Sequence, residues 1–224
     1  KPIVLLKAGR SEAGARAVQL HTGSLAGSDR VTDGILRQVG VHRAIDSEDL
    51  LDTARVLAYA QPLKGRRVAI LTSGGGWGIV LADYVESKDR GIGGCLASLE
   101  PETERKLAKV ALPFAALRNP IDLTASVTTN QAEAALEILQ DDPGIDVILC
   151  CLGYQVQSLD DRITGVLSYW GRNGKKPLIV VATGSETSIQ GLRELEAARV
   201  AAFPTSWRAV RAIDALARRG EYLQ

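Results

Sequence analysis

RRVAILTSGGGWGIVLAD, residues 66–83, is the stretch whose reading decides the fold. Val68–Thr72 is a β-branched and aliphatic run that predicts a buried strand, and a helix is expected over Gly76–Ser87. Between them stand Ser73, Gly74, Gly75 and Gly76. A buried strand that turns at once into a helix is the opening unit of a doubly wound parallel sheet. Glycines at that turn let a backbone come close to a ligand, and the helix's first N–H groups and dipole suit a phosphate. Ser73, Gly74, Gly75 and Gly76 are therefore candidate phosphate-binding residues. The turn is neither a GxxxxGK[ST] nucleotide loop, since no lysine follows, nor a GxGxxG dinucleotide fingerprint. A tight turn needing glycine for sterics alone explains the same residues equally well.

Downstream the pattern repeats. Strands are expected at Gly94–Ala97, Pro120–Leu123, Val147–Leu152, Leu178–Ala182 and Val200–Phe203. Helices are expected at Glu102–Val110, Asn130–Gln140, Leu159–Tyr169, Glu186–Ala198 and Ser206–Arg218. Trp207, Val210, Ile213 and Leu216 recur at helical spacing, so the last helix docks on its sheet. Residues 63–224 thus read as a complete doubly wound α/β domain, large enough for its own core.

Upstream, Pro2–Lys7 predicts a strand, followed by a glycine-rich loop around His21. A helix is expected from Ser28 to Val39, a strand at Val41–Ile45 and a helix over Asp46–Ala60. QPLKGRR, residues 61–67, reads as a linker between domains. Two strands cannot be covered on both faces by so few helices. Residues 1–62 are therefore expected to be the C-terminal part of a domain whose other strands lie outside the chain or come from a partner. There is no methionine, not even at position 1, a composition expected of a piece of a longer product.

The chain has 224 residues, 46% hydrophobic and 24% charged, with a formal net charge of +1. That balance gives no broad field to recruit nucleic acid or an acidic membrane. The start, KPIVLLKAGR, is too short and too basic for a signal peptide, and no apolar run is long enough to span a bilayer. Cys150 and Cys151 lie in an apolar run and read as buried thiols, so neither a disulfide set nor a metal site is expected. The expected location is the cytoplasm.

His21 is one of two histidines and is followed by Thr22, Gly23 and Ser24. A neutral imidazole nitrogen is a good nucleophile toward phosphorus, and its phosphoramidate keeps a high transfer potential. Taken alone, His21 reads more simply as a surface-loop histidine with no task. His42, in an apolar strand beside Arg43, reads as structural. Asp122, in the LRNPIDLTASVTTNQAE segment at 117–133, fits a loop anchor better than a ligand contact. Asp160 and Asp161 read as helix-start acids, Thr183–Ser188 as a capping turn, and Arg218, Arg219 and Glu221 as a solvated end.

In order, KPIVLLKAGRSEAGARA, HTGSLAGSD, RRVAILTSGGGWGIVLAD and RNPIDLT resemble the nucleoside-diphosphate-forming acyl-CoA synthetases, the ADP-forming acetyl-CoA synthetase relatives of succinyl-CoA synthetase. The resemblance covers essentially the whole chain. It implies a flavodoxin-like domain at 63–224, preceded by the C-terminal part of a second flavodoxin-like domain at 1–62. It implies that His21 is the histidine that is phosphorylated and carries the phosphoryl group between two sites, supported by Thr22 and Gly23. The phosphorylated ring would rest between two helix N-termini, of which Ser73–Gly78 matches one. CoA and ATP or ADP with Mg²⁺ are the implied cofactors, bound mainly outside this chain. A CoA-binding Rossmann domain and a supporting glutamate are implied upstream, an ATP-grasp domain or subunit as partner, a small organic acid or acyl-CoA as substrate, and an oligomer.

Two other readings compete. One is the ligand-sensing, synthetase-like region of a protein lysine acetyltransferase, which the presence of His21 disfavours. The other is a plain flavodoxin-like binding module, which the linker and the incomplete first domain disfavour.

Overall fold

The computed structural model describes residues 1–23, 27–87 and 92–224, the Thr22 side chain excepted. In chain order its elements are β1 (Ile3–Leu6), α1 (Glu12–Thr22), α2 (Asp29–Gln38), β2 (Val41–Ala44), α3 (Ser47–Tyr59), β3 (Arg67–Thr72), α4 (Gly75–Glu86), β4 (Cys95–Leu96), α5 (Pro101–Val110), β5 (Ile121–Asp122), α6 (Thr129–Asp141), β6 (Val147–Cys151), α7 (Arg162–Asn173), β7 (Leu178–Val181), α8 (Glu186–Ala197), β8 (Ala201–Phe203) and α9 (Ser206–Leu223).

The described residues form two parallel sheets. In the first, β1 pairs with β2, Ile3 opposite Val41. In the second the order is β4-β3-β6-β7-β8, with β5 beside the C-terminal end of β3. Side chains alternate across that second sheet as a two-faced strand pattern requires. Ala69, Leu71, Ile148, Cys150 and Val180 pack under Leu107, Leu136, Leu139, Leu167 and Leu195 of α5 to α8. Val68, Ile70, Leu149, Ile179 and Val181 pack under Leu81 and Val85 of α4 and Val210, Ile213 and Leu216 of α9. The doubly wound architecture expected from the sequence is present.

β4 takes only Arg67 and Val68 of β3 as partners, and β5 only Leu71 and Thr72. Asn119 fills the gap between them. Its Nδ2 donates to the carbonyls of Val68 (2.7 Å) and Ala97 (3.0 Å), and its Oδ1 accepts from the Ile70 N–H (2.9 Å). A side-chain amide thus substitutes for a missing stretch of strand, keeping buried backbone groups paired.

The region read as a linker is packed. Leu63 is buried and its N–H donates to the Leu216 carbonyl at 3.2 Å. A Cβ at Gly220 would stand 1.8 Å from the Leu63 carbonyl oxygen, so only glycine fits there. Val56 of α3 joins the core formed by α4 and α9. Arg208 holds Asp52 through Nε (2.6 Å) and Nη2 (2.8 Å), and Arg211 holds Asp49 (3.1 Å).

Two expectations are corrected. Arg218 and Glu221 are exposed, as a solvated end requires, but with Arg219 they lie on α9, which runs on to Leu223, and each has a partner. Glu221 pairs with Arg66, Arg218 pairs with Asp214, and the Arg219 guanidinium lies over the Tyr222 ring. His21 is not in a loop either, because α1 carries it in its last turn. Ser11 caps α1 by accepting from the Gly14 N–H at 3.1 Å, Glu12 sits in the first turn, and Gly23 closes the helix at φ 67° with its N–H on the Gln19 carbonyl. These are standard helix end signals flanking an alanine-rich body, and they outweigh the small-residue content that suggests a loop. Elsewhere the differences are boundary shifts, the largest being α7, which starts at Arg162 after Asp160 accepts its N–H.

Candidate functional site

The strand-to-helix turn is locked from three sides. Thr72 Oγ1 accepts from the Gly74 N–H (3.1 Å) and donates to the Gly74 carbonyl (3.0 Å). The Ser73 N–H donates to the Cys151 carbonyl (3.3 Å), and Ser73 Oγ accepts from the Gly153 N–H (2.9 Å). The Gly74 carbonyl then accepts from Trp77 (3.0 Å) and Gly78 (3.4 Å), which starts the helix.

The four candidate phosphate-binding residues therefore differ in what they can offer. Ser73 is buried and its hydroxyl oxygen is engaged, while the Gly74 N–H is already bound to Thr72. Gly75 and Gly76 are exposed, and as the first two helical residues they have no carbonyl one turn back to bind. Among the described residues neither N–H has a hydrogen-bond partner.

No backbone strain demands these glycines, since Gly74 sits at φ −166° and none of Gly74–Gly76 has a positive φ. A Cβ at Gly76 would meet nothing within 4 Å. No steric demand for glycine exists at Gly76. What its absent side chain leaves is an uncovered pair of N–H donors at the positive end of α4. Trp77, Ile79 and Val80 continue that exposed face as an apolar flank.

Asp122 borders the same turn. Its Oδ1 accepts from the Thr124 N–H (2.8 Å), holding Thr124 at φ 71°, and its Oδ2 stands 3.0 Å from the position of a Cβ on Gly75. The loop-anchor reading of Asp122 fits, with the addition that the carboxylate also faces the start of α4. That proximity and the turn-locking role of Gly153 depend on strand order and have no signal at sequence level, whereas the Thr72 contacts with Gly74 are local.

His21 is exposed, and among the described residues its side chain has no hydrogen-bond or ion-pair partner, so no such contact joins it to the turn. Ser24, which continues its motif, and the side chain of Thr22 lie outside the described residues; Gly23 is the left-handed cap. No described residue of α1 is buried, and Leu20 is 90% exposed. His42 is structural: half-buried, 3.4 Å from Thr53 Oγ1, with burial lowering its pKa. Burial pushes the Cys151 thiol up to about 12 and raises Cys150 as well, so both are inert at neutral pH.

Residues 68–208 match the model of the Ligase-CoA domain, and residues 1–57 that of the succinyl-CoA ligase like flavodoxin domain. The α subunit of ADP-forming acetate–CoA ligase I of Pyrococcus furiosus is 35% identical over 222 residues, covering 96% of this chain and 46% of that one. The chain belongs to the nucleoside-diphosphate-forming acyl-CoA synthetase family. Another acyl-CoA synthetase, the ADP-forming 4-hydroxybutyrate–CoA ligase of Nitrosopumilus maritimus, is 25% identical across all of this chain and 31% of its own length. Among solved acyl-CoA synthetases, acetyl-coenzyme A synthetase 1 of Candidatus Korarchaeum cryptofilum, in complex with phosphate and ADP, superposes with a TM-score of 0.86 at 32% identity, covering 100% of this chain and 48% of that one. The chain spans less than half the length of each of these relatives.

Proposed function

We propose that this chain is the phosphoryl-carrying part of an acyl-CoA synthetase that interconverts acyl-CoA, ADP and phosphate with acid, ATP and CoA through phospho-His21. The observation that carries the reading is the uncovered N–H pair of Gly75 and Gly76 at the start of α4, in a chain whose sequence also holds the family's histidine motif.

In the first step phosphate displaces CoA from acyl-CoA, giving acyl phosphate and the free thiol. A ring nitrogen of His21 then attacks the phosphorus with its lone pair while the other nitrogen keeps its proton. The bond from phosphorus to the acyl oxygen breaks, and the organic acid leaves as its carboxylate. In the last step the phosphoryl group passes to ADP and the imidazole is restored. The Gly75 and Gly76 N–H groups, with the α4 dipole, hold phosphoryl oxygens in the middle state without a covalent bond that would trap them. Delivery to the nucleotide requires His21 to travel. A helix none of whose described residues is buried, closed by a left-handed glycine, can swing at small packing cost.

In this reading residues 1–62 are the C-terminal part of one flavodoxin-like domain and residues 63–224 a second, CoA-ligase domain. CoA is held by a Rossmann domain upstream, and the nucleotide with Mg²⁺ by an ATP-grasp domain or subunit. The acid is small and organic, the whole assembly is oligomeric, and it works in the cytoplasm. The phosphate and ADP in the Korarchaeum relative support this ligand set. Among the described residues no helix is long and apolar enough to cross a membrane.

Turnover by the full-length parent protein with its ATP-grasp partner tests the reading. CoA-dependent ATP consumption with acetate or another small acid is expected, and His21→Asn is expected to abolish it with the fold intact. Full turnover by His21→Asn would reject His21 as carrier. Nucleotide binding without turnover in the wild-type protein would favour the ligand-sensing module.

A further inference from the structure

Asp122 is fixed in place by hydrogen bonds on three sides. Its N–H donates to the Ala116 carbonyl (2.8 Å), and its carbonyl accepts from the Ala116 N–H (3.0 Å). One residue on, the Leu123 N–H donates to the Thr72 carbonyl (2.8 Å), which ties the segment to the strand that leads into the glycine turn. Oδ1 accepts from the Thr124 N–H (2.8 Å). Thr124, a β-branched residue, sits there at φ 71°, a conformation that costs such a residue.

Holding Thr124 takes one oxygen, and an asparagine or serine oxygen makes the same turn contact without a charge. The second oxygen, Oδ2, stands 3.0 Å from the position of a Cβ on Gly75, the first of the two residues with uncovered N–H groups. The first turn of α4, Gly75 to Gly78, has no acid of its own. Asp122 therefore brings a negative charge from β5 to the positive end of that helix. An anion held by the Gly75 and Gly76 N–H groups shares this place with a fixed, half-buried carboxylate, and like charges so close repel.

We propose that Asp122 keeps the α4 phosphate site weak by charge repulsion, so that free phosphate does not lodge there and a phosphoryl group is passed on rather than kept. This role rests on the reading of α4 as the phosphoryl site. Phosphate is a reactant of the proposed cycle and is present whenever the enzyme works. A helix N-terminus with nothing opposing it would retain phosphate and block the carrier. A phosphoryl group on His21 tolerates the same repulsion, because its bond to the ring keeps it at hand until transfer.

The test is calorimetric titration of the full-length parent protein with inorganic phosphate, beside Asp122→Asn and Asp122→Ser. Both variants keep an oxygen for the Thr124 N–H, so their thermal melts are expected to match wild type. Both are expected to bind phosphate about tenfold more tightly than wild type. That gap is expected to narrow as potassium chloride rises from about 50 to about 500 mM, since salt screens repulsion. Weaker or unchanged binding in both variants overturns the proposal. So does a gain confined to Asp122→Asn and undiminished by salt, which would mean that the new amide donates to the phosphate. Adding Gly76→Val to Asp122→Ser is expected to remove the gain, and a gain that survives it lies elsewhere and sinks the proposal. If Gly76→Val weakens phosphate binding while neither Asp122 variant strengthens it, this role fails alone and the α4 reading stands.

Discussion

The Asp122 carboxylate stands 3.0 Å from where a Cβ on Gly75 would lie, whereas a Cβ on Gly76 would meet nothing within 4 Å. Neighbouring glycines thus give different experiments. Gly76→Val adds bulk over the N–H donors without a clash, so folding stability should stay within about 0.5 kcal/mol of wild type. Phosphate affinity should fall about tenfold or more, the loss of one charge-assisted hydrogen bond. Gly75→Val should cost stability as well, because Asp122 must move. Denaturant melts beside phosphate titrations separate the two.

Asn119 supplies three hydrogen bonds that a strand would otherwise make. Asn119→Ala leaves the Ile70 N–H and the Val68 and Ala97 carbonyls short of a partner. A loss of about 2–4 kcal/mol in urea unfolding is expected. A loss below about 1 kcal/mol would mean that water replaces the side chain without penalty.

Asp52, its side chain 5% exposed, is gripped by Arg208 through two nitrogens. Removing the acid leaves the partly buried Arg208 only its 3.4 Å contact with the exposed Glu48, so Asp52→Ala should cost about 2–3 kcal/mol. The cut should fall between the two sheets, with protease sensitivity near residues 61–66 rising more than elsewhere. Uniform sensitivity along the chain would contradict that placement.

Burial lowers the His42 pKa below its ordinary 6.5, against the raising effect of Asp49 and Asp214 and with the lowering effect of Arg211 and Arg218. The unfolded chain therefore binds a proton more readily than the folded one. The stability that His42 contributes is present above pH 6.5 and is lost as pH falls from there through the folded value. Thermal melts between pH 7.5 and 5 should show this decline, and His42→Gln should flatten part of it.

The second sheet was legible because its strands are unbroken apolar runs and its helices have clear periodicity. The strand-glycine-helix turn was legible for the same reason. Residues 11–23 misled because Gly14 and Gly23 punctuate the segment as a loop would, although Ser11, Glu12 and Gly23 together mark two helix ends and the alanines favour a helix. The role of Asn119 and the closeness of Asp122 to Gly75 were hidden because they depend on which strand lies beside β3, a tertiary fact. Glu221 seemed a free end only because its partner, Arg66, lies 155 residues away.

The most direct measurement is transfer of label from γ-labelled ATP and Mg²⁺ to the full-length parent protein together with the ATP-grasp domain or subunit proposed as its partner, beside His21→Ala. The expected result is a protein-bound label that is acid-labile and alkali-stable, absent in His21→Ala, and discharged by CoA with an organic acid. An equal label on His21→Ala, or no label despite bound nucleotide, would contradict phosphoryl carriage by His21.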